Sequence, residues 1–352
     1  MNKLISRNIK FLVVFAFSMY LFSSCHGVIF DTIRDEVELA DAKISGDIQN
    51  IIRYNDGIFI STGKIKSRSV ADKLADIKIP FTDFPSPSGY IYSLAADTSN
   101  LYALSANITE DDDGYNIVSS QTLWCYDGSN WSSIWTSLYN KDLHTVLFCT
   151  NTIKKENRHA YFRYGTFVYE LAGTTPLGTN YMTTGTQDRS TTPVITVSSC
   201  TVLGSTVYFS SSYAMTSNET STSDSTYIYC STGDWVWYSS DGSTWAYASL
   251  SCSTIYSLAV TADYLLAGTS DGIVHTPLVS NVPSYGNASF STNADSALSS
   301  YYEVPALLVL DPLQKEISAT IFATCLTSST SASLNNVGLW SYFATTGEWN
   351  RE

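Results

Sequence analysis

From residue 47 to residue 352 apolar and polar positions alternate in short runs separated by turn residues, a pattern that predicts strands almost throughout. Ile48 to Tyr54, Asn55-Asp56-Gly57 and Ile58 to Ser61 read as strand, tight turn and strand, and the turn residues supply the left-handed backbone a hairpin needs. A third strand is expected over Lys64 to Ser69. The next unit begins at Tyr90 after a Pro- and Ser-rich loop, with strands expected over 90–96, 101–107, 121–126 and 131–137. Further units fall at 143–180, 193–250, 254–287 and 301–351. Helical spacing is confined to Ser69 to Ile77, in a loop region.

The strands repeat. Ile91-Tyr92-Ser93-Leu94-Ala95 recurs as Ile255-Tyr256-Ser257-Leu258-Ala259, and each copy is followed by a short polar turn and a second strand. In the first copy a period of two puts Tyr92, Leu94 and Ala96 on one face and Ile91, Ser93 and Ala95 on the other. The aromatic hairpin Leu123 to Trp131 is echoed by Val236 to Trp245, and more loosely by Leu339 to Tyr342 closing at Gly347-Glu348-Trp349. Six four-stranded units of about fifty residues predict an all-β chain folded as a β-propeller of six blades, with seven as the alternative count. A pair of β-sandwiches also has short strands at regular spacing, but the echoes along the whole chain favour the propeller.

The segment Ser239-Ser240-Asp241-Gly242-Ser243-Thr244-Trp245 resembles the Asp-box of sialidase-type propellers and of related propellers without enzymatic activity, and the repeats as a whole are similar to sialidase-like or WD40-like blades. One residue of the usual box is missing between Asp241 and Gly242, and Asp127, Gly128 and Trp131, like Trp349 with Gly347, form partial copies. The resemblance implies a structural role. The Asp accepts turn amides, the Gly takes a positive φ and the Trp packs between sheets.

Residues 1–24 depart from this pattern. Lys3, Arg7 and Lys10 precede an apolar run from Phe11 to Phe22, too short to span a bilayer comfortably, and Ser23 and Ser24 follow. This reads as a signal peptide. Leu21-Phe22-Ser23-Ser24-Cys25 resembles the lipobox of bacterial lipoproteins, although Phe22 stands where an aliphatic residue is usual. The resemblance implies cleavage before Cys25, lipidation of Cys25 and permanent membrane attachment, since each buried methylene of the chains adds about 0.8 kcal/mol. Residues 25–46 are then the lipidated Cys and an acidic tether, and 47–352 the propeller.

Charge narrows the partners. The formal net charge is −13, and loss of the leader leaves 16 basic against 32 acidic residues, or −16. Such a surface repels phosphate backbones and anionic headgroups, which disfavours nucleic acid and polybasic membrane binding.

Candidate chemistry is sparse. A sialidase-type site needs three Arg around a carboxylate; Arg53 lies in a first-unit inner strand, and no two companions fall at equivalent positions. Glu110, Asp111, Asp112 and Asp113 offer oxygen ligands to Ca²⁺, yet their spacing is that of a solvated loop tip. His144, His159 and His275 lack paired ligand spacing for zinc, so no metal or cofactor is expected. Cys125, Cys149, Cys200, Cys230, Cys252 and Cys325 allow fifteen disulfide connectivities, and mostly buried thiols with one bridge such as Cys200 to Cys230 are expected. Long polar loops at 210–226 and 283–300 suit a recognition rim. The expectation is an exported, membrane-anchored protein of the bacterial cell envelope that binds or scaffolds a protein or glycan without catalysis. The alternative is a sialidase-like, carbohydrate-active hydrolase on the same fold.

Overall fold

The computed structural model describes residues 44, 46, 48, 50–69, 80–111, 113–143, 145–149, 158–165, 167–177, 182–184, 195–196, 201–202, 205–206, 215–218, 227–232, 235–240, 246–250, 252, 254–284, 288–289, 302–310, 320–327, 337–343 and 348–352. Among them there is no helix: the protein is all-β, built from antiparallel sheets in which neighbouring strands are consecutive in sequence except at the pairings of Ala288–Ser289 with Gly272–Val279 and of Tyr302–Glu303 with Thr320–Thr327. Residues 44–352 form one compact unit.

The first sheet comprises Ile51–Tyr54, Gly57–Ser61, Ile65–Ser69 and Thr82–Asp83. The second comprises Tyr90–Ala96, Leu101–Glu110, Asn116–Tyr126 and Trp131–Leu138. A third, of five strands, runs from Thr145–Cys149 to Ile195–Thr196. A fourth runs from Met215–Asn218 to Ala246–Ser249. The fifth opens with Ile255–Val260, Tyr264–Thr269 and Gly272–Val279, and the sixth contains Leu307–Val309, Thr320–Thr327, Gly338–Phe343 and Glu348–Arg351. A two-stranded ribbon, Thr201–Val202 with Ser205–Thr206, stands between the third and fourth sheets in sequence. The unit expected over 193–250 therefore divides. Its first strand, Ile195–Thr196, joins the third sheet by pairing with Met182–Thr184.

First strands lie side by side. Ile51–Tyr54 packs on Tyr90–Ala96, which packs on Thr145–Cys149; Ile255–Val260 packs on Met215–Asn218 and on Leu307–Val309, and the sixth sheet returns to Ile51–Tyr54. The first and fifth sheets accordingly bury both faces. Ile51, Ile58 and Ile60 join Leu308, Phe322 and Leu339 of the sixth sheet, while Ile52 and Phe59, one residue out of phase, join Ile91, Leu94 and Leu101 of the second. Leu265 and Ala267 face Tyr229 and Val236 of the fourth sheet, and Leu266 faces Leu307 and Ile321 of the sixth. Alternation here sorts side chains between two cores, which is why these strands are nearly continuous apolar runs.

The identical pentapeptides depart from strict alternation in the same way. In each the pairing register slips by one residue, between Ile91 and Ser93 and between Ile255 and Ser257. The bulge corrects the simple two-face reading of this strand: Ile91, Ser93, Leu94, Ala95 and Ala96 are all buried. It turns a serine into the next sheet. Ser93 Oγ accepts the Leu147 amide at 3.0 Å, and Ser257 Oγ donates to the Val304 carbonyl at 3.0 Å. Gly268 is paired with Ser257, and a Cβ there would meet the Ser257 hydroxyl and the Val304 carbonyl.

Ser69 ends a strand, and residues 70–77, where helical spacing was noted, lie outside the described residues.

Candidate functional site

The second sheet has one end unlike the rest of the molecule. Its middle strands outrun their neighbours: Tyr90 pairs with Ala106 and Leu138 with Ser120, so residues 107–118 project as a two-stranded hairpin. A register shift after Asn107 marks its base, where Asn107 Nδ2 donates to Ser120 Oγ at 2.8 Å and Ser119 Oγ donates to the Asn107 carbonyl at 3.1 Å.

Asp111 organises the tip. Its Oδ1 accepts the amides of Asp113 and Tyr115 at 3.1 and 2.8 Å, and its carbonyl accepts the Gly114 amide at 3.0 Å, with Gly114 at φ 81°. One Asp111 oxygen is thus committed to the turn, while Glu110 and Asp113 point into solvent; Asp112 lies outside the described residues. Among the described residues no group of three His, Cys, Asp or Glu side chains is placed to hold a metal ion.

Eight large apolar side chains are exposed among the described residues, and six lie at this end: Tyr90 (45%), Ile108 (50%), Tyr115 (71%), Ile117 (45%), Leu138 (79%) and Tyr139 (44%). Beside the hairpin is a cleft of about 560 Å³ between residues 137–142 and Tyr164 of the third sheet. Its wall is a turn in which Asn140 Oδ1 accepts the Asp142 amide at 3.0 Å. Beneath it a polar cluster ties the two sheets. Gln121 Nε2 donates to Tyr92 Oη at 2.7 Å and to Thr145 Oγ1 at 2.8 Å, and the two hydroxyls are 2.9 Å apart. Burial holds the Tyr92 phenol well above its ordinary range, so it stays neutral. The rim therefore stands on a rigid base.

The opposite end of the sheets carries the Asp-box echoes. Asp127 Oδ1 accepts the amides of Ser129 and Asn130 at 2.8 Å each, and these amides hold its carboxyl below the usual range. Gly128 has φ 99°. Trp131 Nε1 donates to the Pro85 carbonyl at 2.9 Å, and its ring lies 5.1 Å from Tyr126, itself 5.4 Å from Phe84. Trp349 packs 5.5 Å from Tyr342. Asp241, Gly242 and Trp245 lie outside the described residues, between Trp235–Ser239 and Ala246–Ser249. All three echoes fall at the connection between the last two strands of a sheet.

Other candidates are scattered. Arg53 is buried and donates to the Leu310 carbonyl, which places its guanidinium at the junction of the first and sixth sheets. His159 Nδ1 is 2.9 Å from Glu170 Oε1, and His275 stacks on Tyr264 at 4.7 Å. Burial pushes the Cys125 thiol up to about 12, helped by the Asp97 and Asp127 carboxylates, and raises Cys325 as well. Cys25, His144, Cys200 and most of the loops at 210–226 and 283–300 lie outside the described residues.

The residues gathered at the rim, Ile108, Tyr115, Ile117, Leu138 and Tyr139, are not singled out by the sequence pattern. The expected strands 101–107 and 121–126 stop short of the hairpin; in the structure they run ten and eleven residues between neighbours of seven and eight.

No family model matches the chain, and no curated protein matches it. Among solved structures, one of BBS1N in complex with ARL6DN, soaked with mercury, is similar with a TM-score of 0.40 and 7% identity, over 86% of this chain and 91% of that one. A likeness of that size decides neither fold nor partner.

Proposed function

We propose that the chain is a β-propeller whose blades are the sheets described above, six in number or seven if the ribbon at 201–206 stands for a further one. It serves as a non-catalytic binding module, exported and held at the bacterial cell envelope through lipid on Cys25. The rim of the second blade binds a protein partner. The observation that carries this reading is the concentration of exposed apolar side chains at one end of one sheet. Contiguous exposed apolar surface is uncommon on soluble domains and marks interaction sites. The rigid polar base under the rim fits a scaffold, since a preorganised surface loses little freedom on binding.

The test is site-specific photo-crosslinking in cells that make the protein natively. A photoreactive residue in place of Leu138 is expected to give a discrete protein adduct, and one in place of Val279, also exposed and on the fifth sheet, none. Equal adducts from both positions, or none from Leu138, would overturn the reading.

A further inference from the structure

The partner's chemistry is written on the hairpin. Residues 107–118 include Glu110, Asp111, Asp112 and Asp113 and no Lys or Arg. A partner that covers Ile108 also approaches the Glu110 carboxylate two residues further along the same strand face and removes water from it. Lys141 of the cleft has Asp142 as its neighbour in sequence and residues 107–118 hold no cation of their own, so hairpin carboxylates desolvated without one from the partner stand uncompensated, which is unfavourable. A second copy of this chain would bring its own four acids to the contact on a molecule of net charge −13. Anionic headgroups meet the same repulsion.

The register also says which face is covered. Gln121, paired with Ala106, reaches Thr145 of the third sheet, so that face of the second sheet looks toward the cleft. Alternation beyond the base puts Ile108 and its partner Val118 on the same side, with Glu110 two residues on, whereas Ile117 pairs with Thr109 on the far side. The near face therefore carries Ile108 and Glu110, and beside it lies the concavity of about 560 Å³ whose lining includes Leu138, Tyr139 and Tyr164 together with Lys141 and Asp142. Aromatic side chains at a concavity are where a few contacts carry most of an interface's energy.

We infer that this face of the hairpin, with the cleft at residues 137–142, receives a basic segment of another protein: one or two aliphatic or aromatic anchors against Ile108 and Tyr139, flanked by Lys or Arg that meet Glu110 and Asp113. The inference rests on the reading that the rim binds a protein, and adds the partner's charge and the face used.

The experiment uses the full chain in detergent and three labelled synthetic peptides with the same central Leu-Trp pair, flanked by Lys and Arg, by Gln or by Glu. Anisotropy titration is expected to show binding of the basic peptide, weakening with added salt. Glu110→Lys and Ile108→Ser should each weaken it by about ten-fold, while Ile117→Ser stays within about two-fold. All three positions are exposed, and an unchanged thermal midpoint shows that the variants fold. Equal binding of the Gln peptide, equal loss from Ile117→Ser, or no binding of any peptide overturns the inference. So does a dimer in sedimentation velocity that Ile108→Ser dissolves, or, with the Cys25→Ala chain, retention on phosphatidylglycerol vesicles that Ile108→Ser abolishes. The Leu138 crosslink reports separately on the rim: adducts there with no basic-peptide preference would leave the rim reading standing and remove only the partner's charge.

Discussion

Arg68 and Glu352 meet across the seam between the first and sixth sheets, with Nη1 2.6 Å from Oε2 and side chains 1% and 4% exposed. Around them the backbone closes as well: the Ile44 amide donates to the Glu352 carbonyl at 2.8 Å and the Leu339 amide to the Ile44 carbonyl at 3.2 Å. Glu352 Oε1 accepts from Ser341 Oγ at 2.5 Å, and the guanidinium lies 5.8 and 5.9 Å from the Phe81 and Phe322 rings. Two guanidinium nitrogens, Nε and Nη2, are buried with no acceptor among the described residues.

That geometry separates breaking the pair from replacing it. Arg68→Met strands a buried carboxylate and is expected to lower stability by about 3–5 kcal/mol in urea unfolding. The double variant Arg68→Met/Glu352→Gln should recover most of that loss, because the ion pair is itself incompletely satisfied. A single variant within about 1 kcal/mol of the parent would show that water reaches the seam.

The paired serines give an asymmetric prediction. Ser93→Ala removes the acceptor of the Leu147 amide and leaves a buried donor without its partner, a loss of about 1–3 kcal/mol. Ser257→Ala removes only a hydroxyl that donates to the Val304 carbonyl, and an under-satisfied carbonyl is better tolerated. The first substitution should therefore lower the denaturation midpoint more than the second. Equal losses would mean that the bulge, common to both copies, carries the stability.

The same serines show what the sequence made legible. The identity of Ile91–Ala95 and Ile255–Ala259 announced a repeated strand, and the outer strands of the second sheet lie where expected, whereas Leu101–Glu110 and Asn116–Tyr126 run three and five residues beyond the expected 101–107 and 121–126. The bulge was not legible, because a register slip leaves no mark on a five-residue apolar run. Nor was the burial of both faces of Ile51–Tyr54 and Tyr90–Ala96, since which sheet packs on which depends on long-range closure. At the rim, Glu110 to Asp113 drew notice as charge. Ile108, Ile117 and Leu138 did not, because an exposed strand residue and a core one follow the same alternation.

Alkaline pH should unfold the protein through its buried acids. Burial, then the Asp97 and Asp127 carboxylates, raise Cys125 from 9.0 to about 12, and burial raises Tyr92, Tyr102 and Cys325 from their ordinary values. A group that holds its proton longer folded than unfolded contributes stability in full below its unfolded value and loses it as pH climbs through the folded one. The urea midpoint is therefore expected to be level to about pH 9 and to fall toward pH 12, with Cys125→Ala flattening the onset. At pH about 8 the Cys125 thiol should resist a thiol-reactive dye in the native chain and react on unfolding, since the thiolate is the nucleophile. Labelling at the unfolded rate would contradict the burial.

Attachment at Cys25 is the prediction on which localisation turns. The apolar run from Phe11 to Phe22 and the small residues before Cys25 suit a leader cut at the Cys, and lipid chains on the new terminus would hold the rim near a membrane. In a bacterial host, intact-mass measurement should find acyl mass on the processed chain, absent from Cys25→Ala, and globomycin should arrest processing of the parent alone. An acidic, aromatic-rimmed module so tethered would meet the proposed basic partner by diffusion within a thin layer, where tethering raises the effective concentration. A processed chain without acyl mass, released to the medium, would remove that advantage, and the rim would then have to bind its partner from dilute solution with its own contacts alone.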